Sequence, residues 1–277
     1  MKISLHRDSV TEIYEGLDKS AYPESAGLLE DILDGSIDLL EDPGNVADEL
    51  MYRCDMPGPL PAELLELAVV MYEEAMDEDL YGWDDGAAAN NLGAHYYNGA
   101  RGLPQDFARA VELYKKAAAQ GSSTARENLG YCYYYGRHVA KDYEEAFRWF
   151  SMGAFLGESG SLYKIGDMYR NGLYVEQSDR MAYLIYLRCI NDMPDDDRSF
   201  AAGPVYLRLG DMHLKGLGTA VDPAKALDCY QKAEYYLTVM VNKGEYMYRK
   251  SLESAIAGQD KARQAMKATT APERGLD

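Results

Sequence analysis

Side chains able to do acid–base, nucleophilic or metal chemistry are sparse and ungrouped in this 277-residue sequence. The four histidines, His6, His95, His138 and His213, form no HxxxH or HExxH pair, so none is spaced to share a zinc ion. The four cysteines, Cys54, Cys132, Cys189 and Cys229, show no CxxC or His–Cys spacing, and the three within the repeats, at helix-interior positions, read as small buried thiols. Gly157-Glu-Ser-Gly-Ser161 approaches a nucleophile elbow, but serine fills its last position and no strand pattern precedes it. Glu73, Glu74, Asp77, Glu78, Asp79, Asp84 and Asp85 form the densest carboxylate cluster. It lacks the Asp-x-Asp-x-Asp-Gly loop and closing glutamate of a calcium site, and therefore reads as a protein-facing acidic patch. These observations predict no catalytic set, no metal site, no cofactor and no enzyme activity.

Charge carries more information than reactive chemistry. Residues 1–86 hold 23 Asp and Glu against four basic residues, whereas residues 87–277 hold 23 acids and 24 bases. The net charge of −18 thus resides almost wholly in the first third. Phosphate binding needs a basic face, so nucleic acid is not the expected partner; a protein with a basic surface is. Met1–Asp8 meets charge before an apolar signal-peptide core could form, and no run reaches the roughly 18 apolar residues that span a bilayer. The expected setting is cytoplasmic, with no membrane contact.

The elements that position these groups are set by an internal repeat. Anchor glycines Gly93, Gly130, Gly166 and Gly210 step by 37, 36 and 44 residues, and Ala110, Ala146, Ala182 and Ala226 step by 36, 36 and 44. Two landmarks that drift together mark a true repeat, and such a period means stacked helix–turn–helix units. A glycine inside a helix costs about 1 kcal/mol of propensity, so its recurrence predicts a close helix crossing. Turn glycines Gly99, Gly136, Gly172 and Gly216 follow. Asp106, Asp142, Ser178 and Asp222 then stand as N-caps of each second helix. The eight extra residues of the longest step fall around 191–199 and read as a solvated loop. Before the repeats, apolar spacing predicts helices over 25–40 and 46–54, and a helix from Pro61 to Met76 that looks like half of a degenerate repeat.

The matching phrases are Asn91-Leu-Gly-Ala-His-Tyr96, Asn128-Leu-Gly-Tyr-Cys-Tyr133, Lys164-Ile-Gly-Asp-Met-Tyr169 and Arg208-Leu-Gly-Asp-Met-His213. They are joined by Ala110-Val-Glu-Leu-Tyr-Lys-Lys-Ala-Ala118 and Ala226-Leu-Asp-Cys-Tyr-Gln-Lys-Ala233. These residues resemble the Sel-one-like repeat family, relatives of the tetratricopeptide repeat. The resemblance implies an all-α fold, a right-handed α/α superhelical solenoid, and a role in protein–protein assembly. Some secreted members carry a disulfide in each repeat, and a few of these were linked to β-lactam binding; this chain has no paired cysteines within any repeat, which disfavours that branch. The expected organisation is an acidic helical segment over 1–86, four repeats over 87–241, a capping helix over 242–267 and a disordered tail over 268–277.

By analogy with the tetratricopeptide arrangement, the stripe beside the core face of each first helix lines a concave groove. Its candidate protein-binding residues are Asn90, Tyr97, Asn98, Glu127, Tyr131, Tyr134, Tyr135, Tyr163, Asp167, Arg170 and Asp211. Together with the acidic patch they predict a non-enzymatic interaction protein. The most concrete version is a bacterial immunity- or antidote-type protein that blocks a basic toxin or nuclease. The alternatives are an adaptor that assembles a multi-protein complex and, from the enzyme class, a β-lactam-binding repeat protein. The sequence leaves oligomeric state open.

Overall fold

A computed structural model of the chain describes residues 7–39, 41, 43–53, 58–76, 86–193 and 198–270. Among them are thirteen α-helices and no strand. The chain divides into two units, Met1–Asp142 and Tyr143–Asp277.

The first unit contains α1 (Arg7–Gly16), α2 (Pro23–Asp34), α3 (Pro43–Asp48), α4 (Ala62–Ala75), α5 (Ala87–Asn98), α6 (Phe107–Gln120) and α7 (Ser123–Tyr135). A π-helical turn, Glu49–Arg53, continues α3. The helix expected over 25–40 is shorter in the structure, because Gly35 takes a left-handed conformation (φ 89°) and ends α2. From α3 onward each helix packs on the next, α3 on α4, α4 on α5, α5 on α6 and α6 on α7. Leu50, Leu64, Leu67, Met71 and Leu92 are fully or almost fully buried.

The second unit contains α8 (Tyr143–Phe155), α9 (Ser159–Asn171), α10 (Asp179–Asp192), α11 (Arg198–Lys215), α12 (Pro223–Asn242) and α13 (Arg249–Thr270), again packed in sequence. The residues behind the 44-residue step are partly helical: α11 has 18 residues against 13 in α9, and its added turns bury Ala201 and Ala202. Residues 194–197, with the acidic run Asp195–Asp197, lie outside the described residues, as do Cys54 and most of the expected tail. Cys132, Cys189 and Cys229 are buried free thiols.

The anchor glycines face the large residue of the paired helix. A Cβ on Gly93 would stand 2.9 Å from the Tyr114 ring, one on Gly166 2.6 Å from Tyr186, and one on Gly210 2.7 Å from Tyr230. Helix propensity is thereby exchanged for a closely seated, buried aromatic ring. The same device recurs in α13, where Gly258 sits on Tyr230 with its Cβ position 2.5 Å from the ring. Capping follows local chemistry as well. Asp106 accepts from the amides of Ala108 (2.9 Å) and Arg109 (3.0 Å), Ser178 from Met181 (3.2 Å) and Asp222 from Lys225 (3.0 Å).

Candidate protein interface

In the first unit the predicted stripe meets helices that precede the repeats. Asp48 at the end of α3 accepts the Tyr72 hydroxyl (2.5 Å) and both of its carboxylate oxygens accept from Asn91 Nδ2 (3.1 and 3.0 Å). Asn90 Nδ2 donates to Asn91 (3.2 Å), and Asn128 Nδ2 of the next repeat donates to Asn90 (2.9 Å). His95 Nε2 lies 3.3 Å from the Tyr72 hydroxyl, with the Tyr52 ring 4.5 Å away. Burial, aided by the nearby Arg101 charge, lowers the His95 pKa to about 4, so its imidazole is neutral near pH 7. Burial and then the Asp48 carboxylate push the Tyr72 hydroxyl far above its ordinary range. The result is a side-chain ladder that ties α3, α4, α5 and α7 together and consumes its own polar groups.

The aromatic part of the stripe is more open. Tyr131 and Tyr135 stack with planes 3° apart and centroids 6.2 Å apart, and Tyr134 meets Tyr135 edge-on at 5.0 Å. Tyr135 is 47% exposed and Asn98 is also exposed, whereas Tyr97 is half-buried with its ring 5.1 Å from Phe107. Glu127 is buried.

In the second unit the stripe forms an ion cluster between α9 and α11. Asp167 accepts two bonds from Arg208, one from Nη2 at 2.7 Å and one from Nε, and a third from the Tyr186 hydroxyl at 2.6 Å. Lys164 Nζ lies 3.8 Å from the same carboxylate. Burial alone would raise the Asp167 pKa, but the facing Arg208 charge outweighs it and holds the carboxyl below its ordinary range. Tyr163 is buried with the Arg208 guanidinium 5.2 Å from its ring centroid. Arg170 pairs with Asp211 at 3.5 Å, and the Tyr230 hydroxyl donates to Asp211 at 2.8 Å. A rule links the copies: where aspartate follows the anchor glycine, as at Asp167 and Asp211, the ring seated on that glycine is a tyrosine bonded to it. The repeat with Tyr131 in that place carries Phe150, which has no hydroxyl to satisfy.

The ladder residues Asn91, Asn128, Lys164 and Arg208 are absent from the predicted stripe, though all stand two positions before an anchor glycine. Four polar residues at one register of an otherwise apolar face were the available signal. Of the acidic patch, Glu73 is exposed and lies 3.4 Å from Arg109, while Glu74 is half-buried. Asp77, Glu78, Asp79, Asp84 and Asp85 lie outside the described residues. Among the described residues no group of three His, Cys, Asp or Glu side chains could hold a metal ion, and no helix is long and apolar enough to cross a membrane.

Comparison with known proteins agrees with this geometry. The Sel1 repeat profile matches residues 86–122, 123–157, 159–188 and 204–234. An uncharacterized protein of Neisseria meningitidis is 31% identical over 219 residues, covering 66% of this chain and 45% of that protein. Protein sel-1 homolog 2 of Rattus norvegicus is 36% identical over 117 residues, covering 41% of this chain and 16% of the relative. The ERAD-associated E3 ubiquitin-protein ligase component HRD3B of Arabidopsis thaliana is 34% identical over 96 residues, covering 34% of this chain and 15% of the relative. The chain thus spans less than half the length of these relatives. Among solved structures, a Sel1 repeat protein from Oxalobacter formigenes aligns with a TM-score of 0.56 at 22% identity, over 83% of this chain and 85% of its own. The protective antigen c5321 of uropathogenic Escherichia coli, which displays an SLR fold, aligns with a TM-score of 0.55 at 19% identity, over 96% of this chain and 58% of its own. These likenesses establish an all-α solenoid fold. The seated aromatic rings and capped second helices recur inside the matched stretches, and on that ground the chain belongs to the Sel1 repeat family, whose members are protein-interaction or adaptor solenoids.

Proposed function

We propose that this chain binds a basic protein through its acidic N-terminal helices, most concretely as a bacterial immunity- or antidote-type protein that covers the cleft of a basic toxin or nuclease in the cytoplasm. The observation that carries this reading is charge segregation: 23 acids against four bases in residues 1–86, and near balance thereafter. Most described carboxylates of that segment are exposed, among them Asp8, Glu12, Glu15, Glu30, Asp31 and Glu63. A one-sign surface steers an oppositely charged partner and raises its on-rate by about 10- to 1,000-fold. The predicted groove offers less open polar surface, because Asn90 and Asp167 are engaged within the protein. The test is surface-immobilised protein presented with its co-purified partner at about 50 and 500 mM salt. Reversing Glu73, Glu74, Asp77 and Glu78 to lysine should lower the on-rate roughly tenfold at low salt. Association indifferent both to salt and to these changes refutes the proposal.

The Tyr134–Tyr135 pair, with Tyr135 exposed and Tyr134 half-buried, supports a second reading, an adaptor that docks its partner on this aromatic surface. One relative is itself named as a component of a ubiquitin ligase. On this reading Tyr134→Ala and Tyr135→Ala raise the off-rate, and acidic charge reversal leaves binding unchanged.

A further inference from the structure

A cavity of about 310 Å³ opens where the end of α1, the turn into α2 and the start of α4 meet. Its floor includes Ile13 and Leu64, both buried, with Leu17 and Tyr22 beside them. Its rim carries Glu12, Asp18 and Glu63, all exposed. Asp18 is held by Ser20, whose hydroxyl donates to it at 2.7 Å and whose amide donates at 3.1 Å. Glu12 and Glu63 form no ion pair among the described residues. The cation nearest in sequence, Lys19, is drawn to the Tyr14 ring with its Nζ 3.5 Å from the centroid. An apolar hollow ringed by carboxylates matches a side chain with an aliphatic stem and a cationic head. The volume stands at the small end of ligand pockets, enough for one or two such side chains.

We infer that this pocket receives an arginine or lysine side chain of the basic partner, as an anchor point within the acidic surface. The inference rests on the reading of residues 1–86 as the docking segment for a basic protein. It adds a specific seat to what would otherwise be diffuse attraction. Buried anchors in pockets dominate interface energetics, whereas rim charges chiefly set on-rate.

The full ¹⁵N-labelled chain is titrated with N-acetyl-arginine methylamide, with N-acetyl-norleucine methylamide as the uncharged control and spermidine as a free polycation. The expected result is arginine-dependent amide shifts confined to Ile13–Leu17 and Leu64. Glu12→Gln with Glu63→Gln should weaken them about five- to tenfold, as two screened charge contacts would. Gly16→Trp should abolish them: Gly16 lines the cavity and a Cβ there meets nothing within 4 Å, so a side chain can start from this position without a clash at its Cβ and its indole competes for the cavity. If Gly16→Trp unfolds, the Glu12/Glu63 pair still decides. Equal binding of the norleucine amide overturns the inference, as do shifts spread over all acidic helices that survive Gly16→Trp, or binding of spermidine alone. The two readings fail separately. If the co-purified partner keeps a salt-dependent on-rate but binds Gly16→Trp with unchanged affinity, the pocket is refuted and the acidic docking surface stands.

Discussion

Replacing Arg208 by methionine tests whether the inner stripe of the second unit is structural. The change keeps an aliphatic stem over Tyr163 but removes two hydrogen bonds to Asp167 with its main counter-charge, and a third bond from Arg208 to the Pro204 carbonyl at 2.9 Å. The carboxylate retains the Tyr186 hydroxyl at 2.6 Å and Lys164 at 3.8 Å, with its side chain only 8% exposed. Breaking a buried pair by removing one partner costs about 3–5 kcal/mol. The remaining lysine and the partial exposure of Arg208 (23% of its side chain) reduce this to about 2–4 kcal/mol. Asp167→Leu combined with Arg208→Met removes both members of the pair and should recover at least about 1 kcal/mol relative to Arg208→Met alone, short of the parent because Lys164 and the Tyr186 hydroxyl lose their acceptor. The sign with pH follows from the lowered Asp167 pKa. Its contribution is present above the unfolded carboxylate value of about 3.9 and is lost as pH falls through the folded value. In Arg208→Met burial is no longer outweighed, so the Asp167 carboxyl titrates above its unfolded value and the variant's stability deficit should shrink as pH falls through that range. Solenoids depart from two-state unfolding, so denaturant titration is paired with hydrogen exchange of α9 and α11 amides. A loss below about 1 kcal/mol, or a double variant as unstable as the single one, refutes the reasoning.

Three further outcomes follow from the same geometry. Gly166→Ala places a methyl 2.6 Å from the Tyr186 ring, so overpacking should outweigh the propensity gain by about 1–2 kcal/mol in urea denaturation, whereas Gly16→Ala should cost nothing. His95, with a folded pKa of about 4 against an unfolded value near 6.5, should leave the first unit fully stable above pH 6.5. That stability, roughly 3 kcal/mol at most, should be lost as pH falls from 6.5 toward 4; thermal melts of parent and His95→Gln that track each other across this range would contradict it. His138 is exposed at φ 61°, the turn position that Gly218 fills in the fourth repeat (φ 65°). His138→Gly should therefore raise Tm by relieving left-handed strain, a gain of up to about 1 kcal/mol.

Local chemistry was readable in the chain. The anchor glycines foretold a close crossing, which proved at Gly93, Gly166 and Gly210 to be an aromatic ring seated on the glycine. Asp106, Ser178 and Asp222 cap their helices because a cap depends only on residues two or three positions away. Helix ends set by conformation were harder, as at Gly35, and α1 gave no distinct signal of its own. The polar network was not legible. Asp167 and Arg208 are 41 positions apart, Asp48 and Asn91 43, and Asn90 and Asn128 38, each near one repeat length or somewhat beyond it. By itself, then, the sequence determined the period, the turns, the caps and the concentration of negative charge in the first 86 residues, since all of these are local or additive properties. Only the tertiary structure decided which polar side chains bond one another and which remain open to a partner, because that depends on which residue the neighbouring repeat brings alongside.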